Sequence, residues 1–169
     1  MNKQNLRYCP NCGSDGFRFD GFKKYICGAC EFVFFFNPAA AVAAVIIHDD
    51  KLLTAVRAQD PGAGKLDLPG GFVDPGEAAD TALIRELREE IGAEPIGLSY
   101  FCSSFNVYDY KNVEYTICDI FYLCELTDYS ALIANDDVAD LRWIAIDDLS
   151  LDDFAFVSSH AIVKKLQAN

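Results

Sequence analysis

Three glutamates, Glu86, Glu89 and Glu90, stand at i, i+3 and i+4. On a helix that spacing places them on one face, one turn apart. Like charges so close destabilise a helix unless a cation joins them. A hard divalent cation such as Mg2+ takes oxygen ligands at about 2.0–2.1 Å, and a carboxylate cluster supplies them. The spacing points to a magnesium or manganese site. A solvated acidic helix face is the bland reading of three glutamates alone. It leaves Gly71, Glu77 and Arg85, which stand in one register with them, without an account.

A second set of ligands lies near the start. Cys9-Pro10-Asn11-Cys12 and Cys27-Gly28-Ala29-Cys30 are two C-x2-C pairs separated by fourteen residues. Each pair makes a tight turn that aims both sulfurs at one point, and two such turns can surround a tetrahedral ion. Four protein ligands leave no open position, so zinc here is structural. Iron in a rubredoxin-like site is the other option, because tetrahedral sulfur suits both metals. The chain has seven cysteines. An odd number without a signal sequence argues against a secreted disulfide framework. Cys102, Cys118 and Cys124 fall in apolar, strand-like runs and read as reduced core residues.

The elements that must position these groups follow from pattern. A small cysteine segment occupies residues 1–36, ending in Phe32-Val33-Phe34-Phe35-Phe36, and Asn37-Pro38 punctuates the chain. The second domain, 37–169, opens with Ala39–His48, a continuous small and β-branched run that reads as a buried strand. Asp49-Asp50 turns the chain into a hairpin partner, Lys51–Ala58. A loop over residues 59–64 precedes a short strand at Leu66–Leu68. Gly70 and Gly71 allow the backbone to approach a ligand closely. Glu77–Ile91 is the clearest helix, with Leu83, Ile84, Leu87 and Ile91 on a core face and Gly92 as its stop. Strands follow at Ile96–Phe105, Val113–Leu126 and Val138–Ile146, and a closing helix at Val157–Gln167. Helices packed on a mixed sheet make this an α/β (α+β) sandwich.

The segment from Gly71 to Ala93 resembles the Nudix box, G-x5-E-x7-R-E-U-x-E-E-x-G-U with U aliphatic, at all nine specified positions over twenty-three residues. The Leu68-Pro69-Gly70 run before it is similar as well. The resemblance implies a Nudix-type α/β/α sandwich preceded by a zinc ribbon. It also implies a hydrolase in which water attacks a phosphorus atom of a diphosphate with the help of a divalent metal. Glu86, Glu89 and Glu90 are then metal ligands, joined by the Gly71 carbonyl. Arg85 and Glu77 pair to orient loop and helix.

A cysteine ribbon joined to such a domain resembles the NADH pyrophosphatase branch. Asp140-Leu141-Arg142-Trp143 is similar to the acid and Trp found late in that domain, which makes Asp140, or Asp137 before it, an extra metal ligand; a surface acid beside a core strand is the alternative. The branch marker S-Q-P-W-P-F-P is replaced here by Ser103-Ser104-Phe105-Asn106-Val107-Tyr108-Asp109-Tyr110. Phe72, Tyr108 and Tyr110 are candidates to stack on a base, with ordinary packing as the alternative. His48 and His160 receive no role. The expected substrate is a nucleoside diphosphate linked to another moiety, such as ADP-ribose, NADH or a related dinucleotide. A non-catalytic nucleotide sensor or interaction module is the competing class, and an isopentenyl diphosphate isomerase is a third.

Composition narrows the partners. The formal net charge is -12, which repels long nucleic acid. A bound metal can still reverse the local field for a small nucleotide. No run reaches the roughly 18 apolar residues of a membrane span, and the N-terminus carries no apolar signal core. A cytoplasmic location is expected. Resemblance alone adds a homodimer.

Overall fold

The computed structural model describes residues 6–110 and 113–168, without the side chains of Tyr110 and Val113. The cysteine segment folds as three short antiparallel strands, β1 (Phe17–Phe19), β2 (Lys24–Cys27) and β3 (Val33–Phe35). Its own core is small: Cys9, Phe17, Tyr25 and Cys27, with Phe19 and Phe32 against them.

The rest is built on a seven-stranded mixed sheet. Its central strand is β4 (Ala39–His48). On one side β4 pairs in parallel with β9 (Val113–Leu126), from Ala39↔Ile117 to Ile46↔Cys124. On the other side it pairs first with β7 (Gly70–Phe72) and then with β5 (Lys51–Arg57). Val42, Ala44 and Ile46 are buried towards one face and Val45 towards the other. Burial on both faces is why this strand reads as an unbroken apolar run. The β4–β5 turn is Asp49-Asp50, both at positive φ (47° and 58°), the backbone that a two-residue hairpin requires and that Asp tolerates. β8 (Pro95–Tyr110) and β9 form a long hairpin, β10 (Val138–Ala145) closes the other edge, and β6 (Leu66–Asp67) pairs with β5.

Helix α1 (Ala79–Ile91) covers one face with Leu83, Leu87 and Ile91, each fully buried. Helix α2 (Val157–Gln167) covers the other with Ile162 and Val163. Helices on both faces of a mixed sheet complete the α/β/α sandwich. Gly92 ends α1 in the left-handed conformation (φ 67°), its N–H donating to the Leu87 carbonyl.

Three expectations shift. The helix begins at Ala79 and not at Glu77. Residues 74–77 close a turn in which Glu77 N–H donates to the Asp74 carbonyl (3.0 Å) and the Glu77 carboxylate accepts from Asp74 N–H (3.2 Å). β8 runs on to Tyr110, because Phe105–Tyr110 keeps its register with β9. Cys118 is exposed, while Cys102 and Cys124 are buried as expected. The β9 residues that pack with the α1 cluster are Ile120, Tyr122, Cys124 and Leu126, and Cys118 lies beyond that stretch.

Candidate active site

Helix α1 carries the box glutamates at three different depths. Glu90 is buried, with 6% of its surface exposed. Its Oε2 accepts from Gly70 N–H at 2.7 Å. Glu86 is nearly buried and Glu89 half-exposed. The i, i+3, i+4 spacing therefore gives one patch that grades from core to solvent, not a uniform face. Burial, with the neighbouring carboxyls of Asp137 and Glu86 acting the same way, pushes the Glu90 carboxyl up to about 9. Burial also raises Glu86, with Glu89 and Asp137 adding to it. Two buried acids surrounded by acids are a donor set of hard oxygens in need of positive charge, which fits a divalent cation such as Mg2+.

Arg85 ties the patch to the loop before it. Its Nε and Nη2 donate to the two oxygens of Glu77 at 3.1 and 2.9 Å. Nη1 donates to Glu86 (2.8 Å) and Glu89 (3.1 Å), and Nη2 also to the Phe72 carbonyl (3.1 Å). The hydrogen bonds to Glu77 and Glu86 raise the Arg85 pKa, and the Arg85 partner lowers that of Glu77. One guanidinium thus fixes the turn, strand β7 and two box acids together.

The two glycines of the loop have separate structural reasons. Gly70 sits at φ 145°, and a Cβ there would run into the Val42 carbonyl of β4. Its backbone lies close against the neighbouring strand and also lines the cleft described below. A Cβ on Gly71 would run into the Glu86 carboxylate, so this position must stay bare for that acid to reach the loop.

Of the two late acids, Asp137 joins the cluster through its interactions with Glu90 and Glu86. Asp140 is exposed and binds Arg142 Nε at 3.2 Å. Asp137 precedes β10, in the loop whose Asn135 N–H donates to the Glu90 carbonyl at 2.9 Å.

A cleft of about 650 Å3 of open volume runs from the Gly70–Gly71 backbone and Asp137 inward. Phe72 and Tyr108 stand in its wall, edge to face at 6.1 Å, and Phe156 lies 6.0 Å from Tyr108. The side chain of Tyr110 lies outside the described residues. The inner end is polar. Asp67 accepts from Arg57 Nη1 (3.2 Å), Leu68 N–H (2.9 Å) and Ser159 Oγ (3.3 Å), and Arg57 also lies over the Phe156 ring at 4.9 Å. Asp119 sits beside them with Asn106 and Ser158. Asp67, Asp119, Arg57, Phe156 and the two serines carry no sequence signal. They come from four separate stretches, and each alone looks like an ordinary strand or helix residue.

The four cysteine sulfurs of the ribbon lie within 4.8 Å of one another, the one group of metal-binding side chains among the described residues that is already converged. Cys9–Cys30 and Cys12–Cys27 are 3.8 and 3.7 Å apart. A tetrahedron with metal–sulfur bonds of about 2.3 Å has edges of roughly 3.8 Å, so the cluster fits zinc and is consistent with a zinc ribbon. Backbone N–H groups favour the thiolates: that of Phe32 is the largest cause drawing Cys30 down to about 6, and those of Cys30 and Ala29 lower Cys27. The Ser14 N–H acts the same way on Cys12, yet contacts with the other sulfurs push that thiol up to about 12.

Comparison with known proteins agrees with this geometry. An ADP-ribose pyrophosphatase of Methanocaldococcus jannaschii is 43% identical over 61 residues, 36% of each chain. An NAD-capped RNA hydrolase NudC of Pseudomonas fluorescens is 24% identical over 140 residues, 83% of this chain and 48% of that protein. The chain spans about half the length of the NudC relatives it matches. Among solved structures, a NUDIX hydrolase from Nitrosomonas europaea superposes with a TM-score of 0.71 at 22% identity, over 97% of this chain and 92% of the other. A MutT NUDIX hydrolase from Burkholderia pseudomallei gives a TM-score of 0.63 at 27% identity, over 78% of this chain and 97% of the other. The NUDIX domain family matches residues 37–165, and the chain belongs to that family.

Proposed function

We propose that the chain is a divalent-metal-dependent pyrophosphohydrolase acting on a nucleoside diphosphate linked to another moiety. ADP-ribose, NADH or a related dinucleotide is the expected form. The observation that carries the reading is one continuous cleft, lined by Gly70, Gly71, Phe72, Tyr108 and Asp137, in which Asp137 also interacts with the box acids Glu90 and Glu86. The catalytic unit is 37–169, and 1–36 is a ribbon holding structural zinc on Cys9, Cys12, Cys27 and Cys30.

Glu86, Glu89 and Glu90 would hold the magnesium or manganese, with the Gly71 carbonyl and Asp137 beside them. Asp137 replaces Asp140 in this role, because it is the acid that reaches Glu90. When bound, the metal neutralises phosphate oxygens and acidifies water. The chain supplies the rest. Arg85 keeps Glu77, the Phe72 carbonyl and the helix acids in one frame. A box carboxylate takes the proton as water attacks phosphorus. Phe72 and Tyr108 offer aromatic faces to a base. The net charge of -12 repels a free anionic substrate, so binding depends steeply on the divalent cation. A cytoplasmic site of action is part of the same reading; among the described residues no helix is long and apolar enough to cross a membrane. The exposed Val33, Phe34 and Phe35 of β3 offer an apolar surface for a second copy of the chain.

The test is kcat/KM for NADH, NAD+, ADP-ribose and diadenosine polyphosphates at fixed Mg2+. Hydrolysis with NADH not clearly preferred is expected, because the nicotinamide marker is replaced by Phe105-Asn106-Val107-Tyr108. A preference for NADH above about a hundredfold, nearly 3 kcal/mol of discrimination, overturns that substrate reading.

A further inference from the structure

The inner end of the cleft is not used by the metal chemistry. Two acids meet there, Asp67 half-buried and Asp119 buried, and their circumstances differ. Asp67 is compensated: a guanidinium, a backbone N–H and a hydroxyl all donate to it. Asp119, only 8% exposed, has neutral partners, Ser158 and Asn106. Those two are themselves 2% and 4% exposed. A carboxylate offers about four acceptor positions, so two donors leave it with capacity to spare, on the lining of an open cleft. A buried carboxylate left short of donors costs free energy unless something arriving there supplies them.

The character of that arrival is constrained on three sides. It is not the diphosphate, since two carboxylates repel it and the box glutamates stand on α1, outside the residues that line this cleft. It is a hydrogen-bond donor, because Asp119 accepts. It is flat, because Phe72, Tyr108 and Phe156 wall the approach. Resting on the reading of the cleft as a nucleotide site, the geometry points to Asp119 as the residue that selects the base: an amino-bearing ring whose exocyclic N–H donates to the Asp119 carboxylate. Asn106 and Ser158 are positioning residues that hold the carboxylate in place. A base with a keto oxygen at that position sets acceptor against acceptor and is rejected. The vicinal hydroxyls of a ribose are the other source of paired donors, and the experiment separates the two.

AMP, IMP and 2′-deoxy-AMP are titrated calorimetrically into the zinc-loaded full chain in Mg2+. AMP is expected to bind about ten- to a hundredfold more tightly than IMP, the range of a charge-assisted hydrogen bond, with 2′-deoxy-AMP close to AMP. Asp119→Asn, whose amide both donates and accepts, brings AMP and IMP within about threefold of each other. Equal binding of AMP and IMP by the wild type overturns the assignment, as does binding of neither. A loss confined to 2′-deoxy-AMP places the ribose there and overturns it too, and so does unchanged discrimination in Asp119→Asn. If that variant does not fold, the wild-type comparison decides. Binding is read without turnover. Discrimination in a protein that hydrolyses nothing sinks the hydrolase reading and keeps the base selection. Hydrolysis of ADP-ribose and its hypoxanthine analogue at equal kcat/KM does the reverse.

Discussion

The ribbon and the glutamate helix are both candidate metal sites, built in opposite ways. The ribbon brings four sulfurs together on two turns, over a core of four buried residues. The glutamates stand on a helix whose Leu83, Leu87 and Ile91 are fully buried against a large sheet. The first has ligands converged and little else to hold it. The second has a firm scaffold and ligands spread from core to surface, tied down by Arg85 and Gly70. A metal at the first contributes fold, whereas a metal at the second contributes chemistry to a fold that already stands.

The comparison breaks most readily at the ribbon. Cys27→Ser removes one of four candidate ligands from a segment in which a structural zinc would contribute on the order of 10 kcal/mol. The variant is expected to lose stoichiometric zinc by elemental analysis and protection of 1–36 in amide exchange, while α1 and the sheet stay protected. Loss of protection throughout both parts would show that the two are one folding unit.

At the helix the expected effect is on rate. Glu90→Gln keeps the acceptor for Gly70 N–H and can still donate to Asp137 in place of the proton that burial holds on Glu90. The fold should survive with equal or greater stability, and turnover should fall by about a hundredfold or more, roughly 3 kcal/mol of barrier. Glu89→Gln, at a half-exposed position, should also lose most turnover without unfolding. Wild-type rates in either variant at saturating Mg2+ would remove that glutamate from the site.

The smallest effect concerns the buried acids of the cleft. Burial pushes Asp67 up to about 6 from an ordinary value of 3.8. Between those values the folded chain binds more protons than the unfolded one, so its stability falls as pH rises through that window. From pH 5 to 7 this group alone accounts for a loss of about 1 kcal/mol. The difference between wild type and Asp67→Asn in unfolding free energy, measured by urea titration of zinc-loaded protein without magnesium, should shift by about that amount. No shift would mean that Arg57 outweighs burial.

The two metal sites were legible in the sequence because their residues are close together in it: two C-x2-C turns, and one box within twenty-three residues. The central strand was legible through its apolar run. The inner cleft was not, since Arg57, Asp67, Asn106, Asp119 and Ser158 meet only when β5, β6, β8, β9 and α2 assemble. A structural reason for Gly70 was not legible for the same reason: its backbone approaches a carbonyl of β4, twenty-eight residues earlier in the chain. Asp137 and Asp140 could not be separated by sequence, because Asp137 reaches Glu90 only when the loop before β10 packs on α1, with Asn135 N–H donating to the Glu90 carbonyl.

The central claim is that the helix acids make a divalent-metal-dependent hydrolase of the diphosphate bond. Its most direct test is product analysis of ADP-ribose incubated with zinc-loaded protein across a titration of Mg2+. The account predicts AMP and ribose 5-phosphate, appearing only as Mg2+ is added and abolished in Glu90→Gln. Intact ADP-ribose at saturating Mg2+, or cleavage that continues undiminished when the divalent metal is left out, would contradict it.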